Sequence, residues 1–494
     1  MPIDVKTPPP GGPDAPAVAE GAGFVMARLA KTLHDEQRLN RLAMLDDWYQ
    51  GDPNLPGVPA AARTAVREFH EHSCTNFALL IAEAVRERQR VRGIRTAADD
   101  DATGDGAAWA LWTRMRMPLV SADVHRLKAR FGQAYALVSP PSPDEPGVPV
   151  VTAEDPRWCV AEIDPARPWR PRCGLKMLHD PAREQTRAYL YRPGRVDVAY
   201  VKTRTKDGAR FSPTTWNWDT DKTMAFADPT VMPLVPFEAL DGKGEYEQHL
   251  KLLRRINFMI LQQLTIAVLQ AFKQRAVKGV PLKDDKGNTI DYNDIFTADP
   301  GALWLLPATA EMWESGQVDL TGLLTGVRDY IRQLAAVSRT PMHMLDPSGE
   351  NQSAEGAALS REGLVFKVED RNSRDQLGWS QVVSTAYRWL ETPVEDVSII
   401  WAPPQRASLS ERASALSQAS AAGVPFRSRM ITFGEFDPAD VDRMEVERED
   451  DMVLSARVAT MKAEMAPQPA QATPQPDAQQ EPVQDAPTGD QQQA

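Results

Sequence analysis

The spacing of apolar and polar positions divides the chain into three textures. In the first, Met26, Leu29 and Leu33, then Leu42 and Leu45, predict a helix over 23–46, and residues 47–59 predict a turn-rich break. Phe77, Leu80, Ile81, Ala84 and Val85 share one side of a helix predicted over 63–92, and 107–130 reads as one or two more. From Tyr135 the period shortens towards two. Residues 135–138, 148–151 and 159–163 read as short strands, and 186–191 with 196–202 flank Arg192-Pro193-Gly194-Arg195, a hairpin signal. The stretch 131–240 is therefore expected to be an antiparallel β-rich unit.

The third texture is helical. Residues 245–278 hold no Pro or Gly, and Ile256, Ile260, Leu264, Ala267 and Ala271 keep the helical rhythm. Leu252, Phe258, Met259 and Leu269 add apolar residues on other faces, the mark of a helix packed by several neighbours. Such a helix would run about 50 Å. A compact insert over 280–315 follows, with a turn at 284–288 and a strand at 302–306. Asp319 is expected to cap a second helix, striped by Leu320, Leu323, Leu324, Val327, Ile331, Leu334 and Ala335, which stops before Pro341. After a Gly/Asn loop, a long helix is predicted over 353–390. Trp379, Val382, Val383, Ala386, Trp389 and Leu390 share one of its faces, and Gly363 and Gly378 are points where it could bend. Two amphipathic helices, 408–422 and 438–464, close the ordered part. Residues 1–20 and the acidic Gln/Pro-rich 466–494 lack the apolar residues to offset ordering and are expected to be disordered.

Charge narrows the functional classes. The 494 residues carry a net charge of -12, which argues against tight, salt-driven gripping of nucleic acid but not against its passage. Against that background, Lys251, Arg254, Arg255, Lys273, Arg275 and Lys278 fall in a stretch with no acid. They serve either as helix-end charges paired to neighbours or as groups facing a polyanion. The three cysteines, Cys74, Cys159 and Cys173, form no CxxC pair, so a reducing compartment is expected. The N-terminal stretch has no apolar signal core, and the polar residues within 250–272 exclude a bilayer span, so a soluble protein without membrane contact follows.

Catalytic signatures are missing. No phosphate-binding P-loop, HExxH or GxSxG motif occurs. His70-Glu71-His72 with Cys74 could share a helix face and hold a metal, but a solvated helix end is the plainer reading. His179-Asp180 and His34-Asp35 are adjacent pairs whose side chains point apart, and His343 between Met342 and Met344 reads as helix-end packing. No enzyme, cofactor or metal is expected.

The order of parts carries a resemblance. Pro233-Leu234-Val235-Pro236-Phe237 precedes a long helix, a small insert and a returning helix. Asn351-Gln352-Ser353-Ala354-Glu355-Gly356 then opens another long helix with Leu364-Val365 and Val368-Glu369. Over roughly 40–460 this resembles the portal proteins of tailed bacteriophages, of the siphophage type from Gram-positive hosts. The resemblance implies an α+β, mainly helical subunit with wing, stem, clip and crown that assembles into a ring, usually of twelve. The wing would be 21–244, and 245–279 the first stem helix. The clip would be 280–315, the second stem helix 316–340 and the tunnel loop 341–352. The long wing helix and return strand would be 353–404, and the crown 405–465.

Double-stranded DNA would pass non-specifically through the ring. The other implied partners are the terminase large subunit, head-completion or adaptor proteins, and the major capsid and scaffolding proteins. The chain would sit at a capsid vertex of the virion, after assembly in the host cytoplasm. The implied channel residues are Glu350, Asn351, Gln352, Arg254, Arg255, Lys273, Arg275 and Lys278. The implied subunit contacts in the stem are Ile256, Ile260, Leu264, Leu323, Val327 and Ile331. Glu350 would ring a constriction with negative charge that repels phosphate, or else cap the next helix. The alternatives are another structural virion protein, such as a head-tail adaptor or minor capsid protein, and a hydrolase built on 131–240.

Overall fold

The computed structural model describes residues 21–53, 71–97, 104–203, 211–212, 214–271, 275–281, 283, 286–287, 289, 311–314, 316, 319–345, 354–405, 409–436 and 438–465. It divides into two units, Met1–Pro438 and Ala439–Ala494. The described fold is mixed α and β, with helix the larger share and open antiparallel sheets.

The first unit opens with α1 (Ala22–Leu33), α2 (Glu36–Gln50), α3 (Phe77–Arg86), β1 (Val91–Arg95), α4 (Gly106–Arg114) and α5 (Met117–Phe131). The single helix predicted over 23–46 is two helices. The Asp35 carboxylate accepts from the Arg38 backbone N–H at 2.9 Å and starts α2 afresh. That helix then runs through the predicted break at 47–50, because Trp48 and Tyr49 are buried in the core beside Leu42 and Leu45. It ends at Gly51, whose φ of +80° suits a residue without a Cβ. The helix predicted over 63–92 is broken among the described residues: 71–72 are helical, 74–76 are not, α3 follows, and from Val91 the chain extends into β1.

The β-rich stretch holds β2 (Gln133–Ser139), β3 (Val150–Glu154), β4 (Cys159–Asp164), β5 (Arg167–Asp180), β6 (Gln185–Arg192) and β7 (Arg195–Lys202). The short strands β8 (Asn217–Trp218) and β9 (Met224–Ala225) and then β10 (Leu234–Glu238) complete it. One sheet has the order β4-β5-β6-β7-β8, with β9 on β7, and a second has the order β10-β2-β3. The Arg192–Arg195 hairpin forms as predicted. β5 carries no sequence expectation, since Pro168 and Pro171 argue against a strand. They are tolerated because β5 pairs with β6 only from Gly174 onward, so the prolines fall where one strand edge is unpaired. α1 covers the larger sheet, packing Met26, Leu29 and Leu33 on Leu175, Leu190 and Trp216.

Next come α6 (Leu250–Ala271), β11 (Arg275–Lys278), β12 (Glu311–Glu314), α7 (Thr321–Ser338) and the single turn α8 (Met342–Leu345). α9 (Ala354–Trp389), β13 (Ser398–Trp401), α10 (Leu409–Ala421) and α11 (Phe426–Thr432) complete this unit. The helix predicted over 245–278 is shorter at both ends. A 3₁₀ turn at Glu247–His249 precedes it, and from Arg275 the backbone pairs antiparallel with β12 instead. At 22 residues it spans about 33 Å. The strand expected at 302–306 lies outside the described residues, as do the segments expected to be disordered, 1–20 and 466–494.

α9, with 36 residues, runs unbroken through both glycines. Gly378 marks a close approach rather than a bend, since a Cβ there would lie 2.5 Å from the Phe237 ring of β10. Trp379 fills the space beside it, 4.5 Å from Phe237 and 5.6 Å from Trp112 between ring centroids. β1 pairs with β13, which joins the chain's first part to the end of α9. The helix α11 was not expected; Pro425 occupies its N-cap position.

The second unit is α12 (Pro438–Met465) in its described part. Val446, Val453, Leu454, Val458 and Met461 share one stripe of it and are exposed.

Candidate functional site

Three consecutive residues fix the root of α6. Glu245 is buried and ion-paired to two residues of α9, Lys367 at 2.8 Å and Arg371 at 2.6 Å. The Tyr246 hydroxyl donates to the Leu45 carbonyl of α2 at 2.6 Å. Glu247 accepts a two-pronged bond from Arg41 of α2, at 2.7 and 2.6 Å. Arg41 also donates to the Gly242 carbonyl at 2.7 Å. The backbone can pass this closely because Gly132, at φ +80°, has no Cβ to strike Gly242. Charge-assisted, forked bonds are the strong and directional ones, so this clamp sets where α6 leaves the core.

From that root, α6 and α7 pack as an antiparallel pair. Leu253 and Ile256 are fully buried against Leu334 and Ala335, with Ile260, Tyr330 and Ile331 half-buried beside them. Asn257, also buried, accepts from the Thr75 backbone and hydroxyl at 3.1 and 2.6 Å. Asp319 accepts from the Thr321 N–H at 2.8 Å and so helps to start α7. Burial then falls along the pair, and Leu264 and Leu323 are only half-covered. Large apolar side chains stay in water: Phe258 is 52% exposed, Leu324 46% and Val337 56%. On α6, Lys251, Arg254, Arg255, Phe258 and Gln262 form one exposed stripe, opposite Leu253 and Ile256.

The structure therefore separates the residues nominated by sequence. Of the stem set, Ile256 and Val327 are buried within the chain itself, while Ile260, Leu264, Leu323 and Ile331 are half-buried. Of the basic set, the Arg255 guanidinium lies over the Tyr330 ring at 5.3 Å and Arg254 reaches Met44 at 3.9 Å. Arg275 contributes its backbone to β11, and Lys278 faces Glu311 at 3.9 Å with both side chains in water, a weak pair. Lys273, Glu350, Asn351 and Gln352 lie outside the described residues. The sequence did not flag Phe258 and Leu324 as exposed, because apolar residues all round a helix do not say which side its own chain covers.

A second buried polar group holds α9 to α5. Asp375 pairs with Lys128 and accepts from Gln89 at 2.9 Å. The Trp379 indole N–H donates to His125 Nε2 at 3.0 Å, which places the imidazole proton on Nδ1. Burial drives the His125 pKa down to about 4, with Asp375 opposing and Lys128 adding. For Glu245, burial alone would raise the pKa, but Lys367 and Arg371 reverse this and hold it at about 2.

Acidification is thus expected to destabilise the fold in two windows. His125 stays neutral when folded, so its contribution is complete above about 6.5 and is lost as the pH falls towards about 4. The Glu245 contribution is complete above about 4.5 and is lost as the pH falls towards about 2. Denaturant midpoints measured against pH should drop through both windows in the wild type. Glu245→Gln should flatten the lower one, and two superimposable curves would refute the assignment.

The remaining chemical candidates stay apart. His179 Nδ1 meets the Thr186 hydroxyl at 3.0 Å, Asp35 is occupied as a helix cap, and His70 lies outside the described residues. Among the described residues, no three His, Cys, Asp or Glu side chains gather to hold a metal ion. No described helix is long and apolar enough to cross a membrane.

No family model and no curated protein matches the chain. Among the solved structures that match, three each align with 80% of it. They are the neck of an empty GTA particle computed with C6 symmetry, the virion of a native gene transfer agent (GTA) particle, and the neck of a native GTA particle computed with C12 symmetry. Their identities are 13%, 12% and 14%, the shares of those chains covered are 93%, 98% and 98%, and the TM-scores are 0.40, 0.36 and 0.40. With TM-scores below one half, the alignments establish neither a shared fold nor a shared role.

Proposed function

We propose that the chain is the subunit of a ring-shaped DNA channel, a portal-type protein of a tailed phage, with a structural rather than a catalytic role. The observation that carries this reading is the α6/α7 pair. It is clamped at its root by Glu245, Tyr246 and Glu247, it leads into and out of the β11/β12 ladder, and it keeps Phe258, Leu324 and Val337 uncovered. A lone subunit gains nothing from exposing those side chains, whereas neighbours in a ring would cover them. The order of parts along the sequence supports the same reading, with α6 and α7 as stem, the segment between them as clip and α9 as the long wing helix. On this reading the terminase and head-completion proteins dock at the clip, and DNA passes through without its sequence being read.

The test is native mass by light scattering after size exclusion, with negative-stain imaging of the same peak. A closed ring of twelve 54.7 kDa chains is expected at about 660 kDa with a central hole. A chain that remains monomeric or dimeric at high concentration would overturn the proposal.

A further inference from the structure

A cleft of about 650 Å³ lies where α3, β1, α9 and the segment after β13 meet. Arg86, Arg88, Arg90, Arg92 and Arg361 line it, together with His343. Among its described lining residues only Glu87 and Glu435 are acidic, so a chain of net charge -12 here reverses its sign. The sequence signal is plain in hindsight: Arg86, Arg88, Arg90, Arg92 and Arg95 fall within ten residues that contain one acid, Glu87.

Several of these arginines are held in place. Arg86 donates to Glu83 at 2.7 Å. Arg88 donates to the Ala84 carbonyl at 2.9 Å. Arg92 is nearly buried and donates to the Ile431 carbonyl at 2.6 Å, which fixes the end of β1 against α11. Arg90 is exposed at the same site. All the permanent cations are guanidinium groups, whose planar fork matches phosphate oxygens better than an ammonium does. The apolar part of the lining is aliphatic, with Val91, Leu364 and Pro403, and no Phe, Tyr or Trp is present among the described lining residues. Single-stranded nucleic acid is usually held on aromatic platforms, so the lining suits a duplex, whose bases are turned inward.

We infer that this cleft contacts the phosphate backbone of double-stranded DNA, without reading its sequence. The identity of the partner rests on the channel reading above; the site itself rests on the arginines. The cleft is separate from the basic stripe of α6 that the sequence nominated.

The experiment uses the full chain, a short labelled DNA duplex and fluorescence anisotropy over a salt series, with the native mass of each sample measured alongside. The variant is Arg88→Gln/Arg90→Gln/Arg361→Gln, which leaves Arg86 and Arg92 to their structural bonds. Its affinity for the duplex should fall at least about tenfold. The slope of log affinity on log salt should become shallower by roughly 0.9 for each phosphate that is no longer neutralised. Arg90→Gln alone, at an exposed position, should lower the slope by about 0.9 and serves if the triple variant does not fold. Lys251→Gln/Arg254→Gln/Arg255→Gln should leave the cleft's share of the slope intact.

Wild-type affinity and slope in both cleft variants would overturn the inference. So would displacement of the duplex by polyglutamate at equal charge concentration, or binding of pyrophosphate without binding of the duplex. Rings of full mass with no cleft-dependent binding would sink this inference and leave the channel reading standing. Cleft-dependent binding by a chain that never forms rings would do the reverse.

Discussion

The double variant Phe258→Asp/Leu324→Asp is expected to fold as the wild type does and to lose the ring. Both side chains are about half exposed in the single chain, so replacing them should change subunit stability by no more than about 0.5 kcal/mol each. In a ring the same side chains would be covered. Burying the exposed half of each would contribute about 0.8–1.5 kcal/mol per interface, and a carboxylate placed there would add its own desolvation cost. A deficit of only about 3 kcal/mol already weakens each interface by roughly 100-fold, and every interface around the ring is weakened alike. The expected reading is a single peak near the 54.7 kDa of one chain, with an unchanged circular dichroism spectrum. Ile260→Asp/Leu264→Asp, the pair that sequence alone recommends, is a blunter test. Ile260 also packs on the chain's own core, so loss of rings there would mix unfolding with failed assembly. Rings at normal yield from the Phe258/Leu324 variant would remove the stem as the assembly surface.

How much of this could be read from the sequence depends on the range of the interaction responsible. Helix and strand periods placed α5, the β6–β7 hairpin, α7 and most of α9, because each carries its own apolar stripe. The breaks were less legible. The α1/α2 boundary turns on one Asp35 cap inside a continuous helical rhythm, and the extension to Gln50 depends on a distant core that accepts Trp48. The end of α6 at Ala271 reflects pairing with a strand some forty residues further on. The site was legible only in part. Basic residues near α6 stood out because no acid interrupted them, while the run of arginines around β1, equally visible in the sequence, gains Arg361 as a neighbour only through the packing of α9. The clamp of Glu245, Tyr246 and Glu247 joins residues some two hundred and one hundred and twenty positions apart, a range at which spacing patterns carry no information.

Asp375→Ala is expected to cost about 3–5 kcal/mol, because it strands the buried Lys128 ammonium without its partner. The loss should be read as a shift in denaturant midpoint with an unchanged slope. Removing both charges together, as Lys128→Met/Asp375→Leu, should recover most of it, since apolar residues of similar volume avoid the desolvation penalty that the ion pair must offset. The difference between the double variant and the sum of the single variants then measures the coupling directly. Additive losses would show that the two groups act separately and that the Gln89–Asn372 and Trp379–His125 bonds hold α9 without them. Strong coupling has a consequence for assembly. The helix that Asp375 secures also carries Lys367 and Arg371, about two turns and one turn away, which grip the root of α6 through Glu245. A loosened α9 would therefore let the α6/α7 pair leave the core at a variable angle. Asp375→Ala should consequently lower ring yield under conditions where the subunit is still folded, while the double variant restores it.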